Sequence, residues 1–88
     1  MIITVKMLDT CTFEVSVTGS SPTRHIVTVS AEDAARLTGG KVATEHLVKR
    51  SFDFLLEREP NTSILRSFEL SVIGRYFPEY ERVIRGML

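Results

Sequence analysis

The feature of this chain that most constrains its fold is a change of hydrophobic period near residue 30. Before that point apolar and polar side chains alternate, as they do in strands that bury one face and expose the other. The alternating apolar positions are Ile3, Val5, Met7, Phe13, Val15, Val17, Val27 and Val29. After that point the apolar residues recur with helical spacing. Because the two periods are segregated along the chain, the sequence predicts an α+β fold.

Three strands fit the first part of the sequence, over residues 2–8, 12–18 and 24–30. The links between them are short and contain turn-forming residues, which predicts an antiparallel β-meander. The first turn would set Met7 opposite Phe13 and Val5 opposite Val15 on the apolar face. It would also set Lys6 opposite Glu14 on the polar face, where opposite charges form a favourable cross-strand pair.

The rest of the chain predicts four to five short helices packed on one face of this sheet. Ser30 is expected to cap a helix over 31–37, and Gly39-Gly40 to end it, because glycine readily adopts the left-handed conformation. Thr44 is expected to cap a helix over 45–59. Apolar side chains cover roughly 200° of that helix, so we expect it to be central in the fold. Shorter helices are predicted over 63–69, 72–77 and 78–88.

Length and composition favour one soluble domain over residues 1–88. The chain has 88 residues, of which 43% are hydrophobic and 25% charged, as in ordinary globular proteins. Eleven basic side chains balance eleven acidic ones, so strong attraction to nucleic acid or to an anionic membrane is not expected. With no apolar run of membrane-spanning length, no leader-like start and one cysteine, a cytoplasmic location is predicted.

Side chains that could carry catalysis or bind a metal are few and poorly placed. Cys11 and His25 are the candidates for a thiol–imidazole couple, but the predicted strands separate them by about 20 Å. His46 is predicted on a solvated helix face with no second histidine to share a metal ion. Gly39-Gly40-Lys41-Val42 lacks the upstream glycine and the hydroxyl of a phosphate-binding loop. We therefore expect no catalytic residue, no metal and no cofactor, and a protein that is not an enzyme.

The aromatic C-terminal segment is the predicted interaction surface. It contains more apolar side chains than two short helices usually bury, so some of them are expected to stay uncovered. Tyr76, Tyr80 and Met87 are the predicted contacts with a protein partner or with a second copy of the chain. The expected function is a non-catalytic, macromolecule-binding role.

The alternative is a nucleic-acid-binding regulator. Residues 63–82 are similar to a degenerate helix-turn-helix, with one helix before a turn near Leu70 and a second helix after it. In this hypothesis Arg66 and Arg75 would contact the nucleic acid. Pro78 shortens the second helix and the glutamates after it would repel phosphates, so protein interaction is favoured.

Three further stretches of sequence carry a resemblance to known proteins. The segments 36–41, 47–60 and 75–80 together resemble a set of small uncharacterised bacterial proteins of similar length. The resemblance covers most of the chain. It brings no activity, ligand or site with it and implies only a bacterial origin.

Overall fold

A computed structural model describes residues 2–88 of the chain. It begins with strands β1 (Ile2–Met7), β2 (Thr12–Thr18) and β3 (Thr23–Thr28), followed by helices α1 (Ala31–Thr38) and α2 (Thr44–Leu56). A 3₁₀ turn (Asn61–Ser63) leads to strand β4 (Ser67–Glu69) and to helices α3 (Val72–Tyr76) and α4 (Tyr80–Met87). The predicted α+β class is therefore confirmed.

The sheet is larger than predicted. Its strand order is β1-β2-β3-β4, and β4 runs parallel to β3 while the other neighbours are antiparallel. The Ile26 N–H donates to the Arg66 carbonyl at 2.7 Å and the Leu70 N–H donates to the Thr28 carbonyl at 2.9 Å. The prediction of a three-stranded antiparallel meander is thus corrected to a mixed, four-stranded sheet. Helices α1 and α2 lie in the β3–β4 connection, since parallel neighbours need a long crossover.

The predicted register of the first hairpin is confirmed. Met7 pairs with Phe13, Val5 with Val15 and Lys6 with Glu14. The alternation places one face of the sheet in the core, where Phe13, Val15, Val17, His25, Val27 and Val29 are buried.

The ends of the first two helices follow from local chemistry. The Asp33 N–H donates to Ser30 Oγ at 3.1 Å, so Ser30 caps α1 as predicted. Gly39 has a φ of 63° and ends α1 in the left-handed conformation. Thr44 does not cap α2, because it already lies inside that helix and no side chain bonds to the helix start. The helix ends at Leu56, before the predicted residue 59, and Pro60 prevents its continuation.

Helix α2 occupies the centre of the fold. It contacts β1 and β2 in the sheet as well as helices α1 and α4. Its buried side chains surround much of the helix axis, and they are Leu47, Val48, Ser51, Phe52, Phe54 and Leu55. The structure therefore agrees with the central position that the wide apolar arc predicted.

The prediction of a helix over residues 63–69 is wrong. Ile64 is extended, with φ −77° and ψ 136°, and the chain then forms β4. The spacing of Ile64, Leu65 and Phe68 resembles a helix, but Phe68 and Leu70 also alternate with polar residues. Pairing with β3 satisfies the backbone of this segment, and the local sequence could not reveal that long-range pairing. Among residues 2–88 there are accordingly four α-helices, α1 to α4.

Candidate interaction site

An apolar groove lies between the end of α2, the segment that leads to β4, and α3. Its volume is about 350 Å³. We call it the α2–α3 groove, and it is lined by Leu55, Glu59, Ser63, Ile64, Leu65, Phe68, Val72, Ile73, Tyr76 and Phe77. Two of the large apolar side chains among them remain open to solvent, Leu65 at 50% exposure and Tyr76 at 69%. The groove thus combines buried apolar walls with an uncovered apolar rim.

The groove results from the shortness of the elements around it. Between Pro60 and Tyr76 the chain forms a 3₁₀ turn, a strand of three residues and a helix of five. Elements of this length present too few side chains to cover one another, and they are ordered only by docking on a larger body. β4 pairs with β3 and Phe68 packs against Phe52 of α2, while α3 contacts β4 and α4. The space between α2 and α3 is left unfilled.

A buried polar network fixes one wall of the groove to the sheet. His25 is 1% exposed, and its Nδ1 lies 2.8 Å from the Leu65 carbonyl. Because a carbonyl can only accept, Nδ1 carries the proton and donates it. Nε2 then accepts from the Thr23 hydroxyl at 2.9 Å. Asn61 Nδ2 donates to Thr23 Oγ1 at 2.8 Å and to the Ser21 carbonyl at 2.7 Å.

This network gives His25 a structural role that the sequence did not reveal. Its ring is buried against Phe52 with 5.3 Å between centroids. It pairs across the sheet with Val15, so it lies about 13 Å along β2 from Cys11. The two side chains therefore do not form a nucleophile–base couple, in agreement with the sequence argument.

The other side chains considered for chemistry also lie apart. Cys11 is partly buried in the first turn, where its N–H donates to Asp9 Oδ1 at 2.8 Å and lowers the pKa of Asp9. His46 is exposed on α2. Within residues 2–88, no group of three or more His, Cys, Asp or Glu side chains is placed to hold a metal ion.

The structure separates the three predicted contact residues. Tyr76 lies on the rim of the α2–α3 groove. Tyr80 is 1% exposed and is therefore corrected from a surface residue to a core residue. Met87 is partly buried against the core, and its carbonyl accepts from Arg50 Nε at 3.3 Å. Of these three residues, Tyr76 alone lines the groove.

Tyr80 is held in the core by α2. Ser51 Oγ donates to the Leu47 carbonyl at 2.7 Å, so the Tyr80 hydroxyl, 2.6 Å away, donates to Ser51 Oγ. The Tyr80 ring packs against Phe54 with 5.3 Å between centroids. Burial raises the pKa of Tyr80 to about 12. The signal that could have located this contact is Ser51, a polar residue on the otherwise apolar side of α2.

The two arginines of the nucleic-acid hypothesis are both exposed. Arg66 directly follows Leu65 in the chain and Arg75 directly precedes Tyr76. In the described part of the chain neither arginine forms an ion pair. The helix-turn-helix comparison has no structural basis, because the segment before α3 is a strand and not a helix.

Leu65 and Phe68 belong to the groove but were not predicted as contacts. The sequence assigned both to a helix, which would have buried them together. Recognising the alternation from Ser67 to Leu70 as a strand would have placed Leu65 before the strand and left it uncovered.

No family model, no curated protein and no solved structure matches this chain.

The longest helix, α2, has 13 residues, and no helix within residues 2–88 is long and apolar enough to cross a membrane.

Proposed function

We propose that this protein is a non-catalytic interaction domain whose α2–α3 groove takes an apolar side chain of a partner protein. The observation that supports the proposal is the exposed rim of the groove, formed by Leu65 and Tyr76. Concave apolar surfaces are common binding sites, and aromatic residues on their rims often contribute much of the binding energy. An uncovered tyrosine and leucine beside such a groove have no folding role that explains their exposure.

The charges next to the rim residues in the chain suggest the kind of segment that would bind. Arg66 and Arg75 flank the two rim residues in the chain and are not ion-paired in the described residues. Carboxylates on the partner would form charge-assisted hydrogen bonds with these guanidinium groups. The proposed partner is therefore a short segment with an aromatic or aliphatic anchor flanked by Asp or Glu.

The cellular setting belongs to the same proposal. The free Cys11 is compatible with a reducing compartment, and the resemblance to small bacterial proteins suggests a bacterium. We propose a bacterial, cytoplasmic interaction domain on these grounds.

A selection from a displayed library of short random peptides, followed by NMR titration of the folded protein, tests the proposal. We expect selected peptides to carry an apolar anchor with adjacent acidic residues, and to shift the resonances of Leu65, Phe68 and Tyr76. Tyr76→Ser should weaken their binding by about tenfold or more, as expected for the loss of one aromatic anchor.

Ile2→Ser is the matched control, because Ile2 is 68% exposed and Tyr76 69% exposed, and Ile2 does not line the groove. This variant should bind the selected peptides like the wild type. Equal losses in the two variants, or peptides that shift resonances elsewhere, would contradict the proposed site.

The nucleic-acid alternative is tested by fluorescence anisotropy with random duplex DNA and RNA. The local balance of charge leaves few uncompensated cations for counterion release, so we expect no sub-micromolar binding at physiological salt. Tight, salt-dependent binding that falls in Arg66→Ala and Arg75→Ala would replace the protein-binding proposal.

A further inference from the structure

Within residues 2–88, the large apolar side chains that remain exposed fall into two groups. Leu65 and Tyr76 border the groove, whereas Ile2, Met7 and Leu8 lie on β1 and at its end. Their exposures are 68%, 48% and 47% for Ile2, Met7 and Leu8. β1 is the first strand in the sheet order, so it is paired on one side only. The second group therefore borders an open sheet edge.

The hydrogen bonds of β1 show which backbone groups face that edge. The Ile2 N–H donates to Thr18 Oγ1 at 3.2 Å, and the Leu8 N–H donates to the Thr12 carbonyl at 2.9 Å. Both bonds point toward β2. Backbone groups of successive residues point to opposite sides of a strand, so the alternate residues Ile3, Val5 and Met7 direct theirs outward. No described strand pairs with that side.

We propose that β1 pairs with β1 of a second copy of this chain, antiparallel, around a two-fold axis at Val5. Val5 then lies opposite Val5 of the second copy, and Ile3 lies opposite Met7 of the second copy. In this register the N–H and C=O groups of all three outward-facing residues of each chain form hydrogen bonds with the second copy. The two sheets join into one continuous sheet across the axis.

The side chains of β1 are self-complementary in this register. Ile2 meets Leu8 of the second copy, so the exposed apolar side chains at the edge each gain an apolar partner. Thr4 meets Lys6 of the second copy, so the single charge of the strand does not oppose itself. A shift by two residues would instead set Ile2 opposite Lys6 and leave Thr4 opposite Thr4.

The strand also carries only one of the features that usually prevent edge pairing. Monomeric proteins protect sheet edges with prolines, bulges, charged side chains, especially lysine, or covering loops. The sequence of β1 contains no proline, no glycine and one charge, Lys6. The joined edge covers less than the roughly 800 Å² per partner of a standard interface, so the dimer should be weak and should form at high protein concentration.

Charge variants at Thr4 test the register. Thr4 is exposed and faces Ser16 in its own sheet, so neither Glu nor Lys should disturb the fold. In the dimer each residue 4 opposes Lys6, twice per dimer. Thr4→Glu should therefore tighten dimerisation and Thr4→Lys should weaken it, each by about two- to thirtyfold at low salt. Both variants change the net charge by one unit, so the repulsion between two whole molecules that arises from net charge is the same for both.

Sedimentation equilibrium of the wild type and both variants gives the dimerisation constants, and inter-chain NOEs in a mixed-label sample report on Val5 contacts. We expect tighter association for Thr4→Glu, weaker for Thr4→Lys, Val5–Val5 contacts between chains, and no effect of Tyr76→Ser. A wild type that stays monomeric up to millimolar concentration would overturn the proposal. Equal responses of the two charge variants, or loss of the dimer in Tyr76→Ser, would do the same.

Discussion

The two sides of α2 are covered to different extents by the rest of the chain. Toward α4, the Tyr80 ring fills the space beside Phe54 and its hydroxyl bonds to Ser51, so this side is closed. Toward α3, the chain passes through very short elements and leaves the α2–α3 groove with Leu65 and Tyr76 uncovered. Both sides are built from aromatic and aliphatic side chains. They differ in the length of the element that covers them.

This difference separates folding from binding within one small molecule. Helix α4 has eight residues and one buried stripe, so it can cover α2 and exclude water. The segment from Asn61 to Tyr76 is held instead by backbone pairing with β3 and by the His25 network. We infer that the closed side supplies most of the stability and that the open side is available to a partner.

The largest expected effect is on the closed side. Phe54 is fully buried and packs against both Phe77 and Tyr80, so Phe54→Ala should lower the free energy of unfolding by about 3–5 kcal/mol. Lys49→Ala on the same helix is the control. Lys49 is exposed and forms a surface ion pair with Asp53 at 3.7 Å, so Lys49→Ala should change the free energy of unfolding by no more than about 0.5 kcal/mol. Urea denaturation gives both values. Similar decreases in the free energy of unfolding for the two variants would contradict the central position of α2.

The next effect concerns the wall of the groove. His25→Leu leaves the Leu65 carbonyl without its donor and the Thr23 hydroxyl proton without its acceptor, which should cost about 2–4 kcal/mol. The Ile26 N–H donates to the carbonyl of Arg66, the residue after Leu65, so the hydrogen exchange of Ile26 should accelerate most. Thr23→Ser keeps the hydroxyl and should retain near-wild-type exchange. Unchanged exchange at Ile26 in His25→Leu would show that the network does not hold this wall.

An effect of similar size is expected, but only at alkaline pH. Burial raises the pKa of Tyr80 from 10.0 to about 12, so the folded state holds the proton more tightly than the unfolded state. The stabilisation is complete below pH 10 and is lost as pH rises from 10 to about 12, with a total of about 3 kcal/mol. Tyr80→Phe cannot ionise, so its unfolding free energy should fall less over this range. Parallel pH profiles of the two proteins would contradict the buried, protonated phenol.

The sequence predicted the register of the first hairpin well, because that register depends on neighbouring strands and a short turn. Alternation and turn length alone predicted the cross-strand partners of Met7, Val5 and Lys6. The sequence predicted the 63–69 segment poorly, because three residues of β4 are ordered by pairing with β3, which is distant in sequence. Tyr80 was placed on the surface for a related reason. The buried hydroxyl of Ser51 that receives it lies on another helix, and one chain position does not reveal such a partner.

The most direct test of the account compares Tyr80→Ser with Tyr76→Ser, the same substitution on the closed and the open side. Tyr80→Ser should lower the free energy of unfolding in urea by about 3–5 kcal/mol, because it empties a buried site. Tyr76→Ser should change it by no more than about 0.5 kcal/mol, because the side chain is 69% exposed. A loss for Tyr76→Ser as large as that for Tyr80→Ser would show that the open side also holds the fold together, and the division between folding and binding would be wrong.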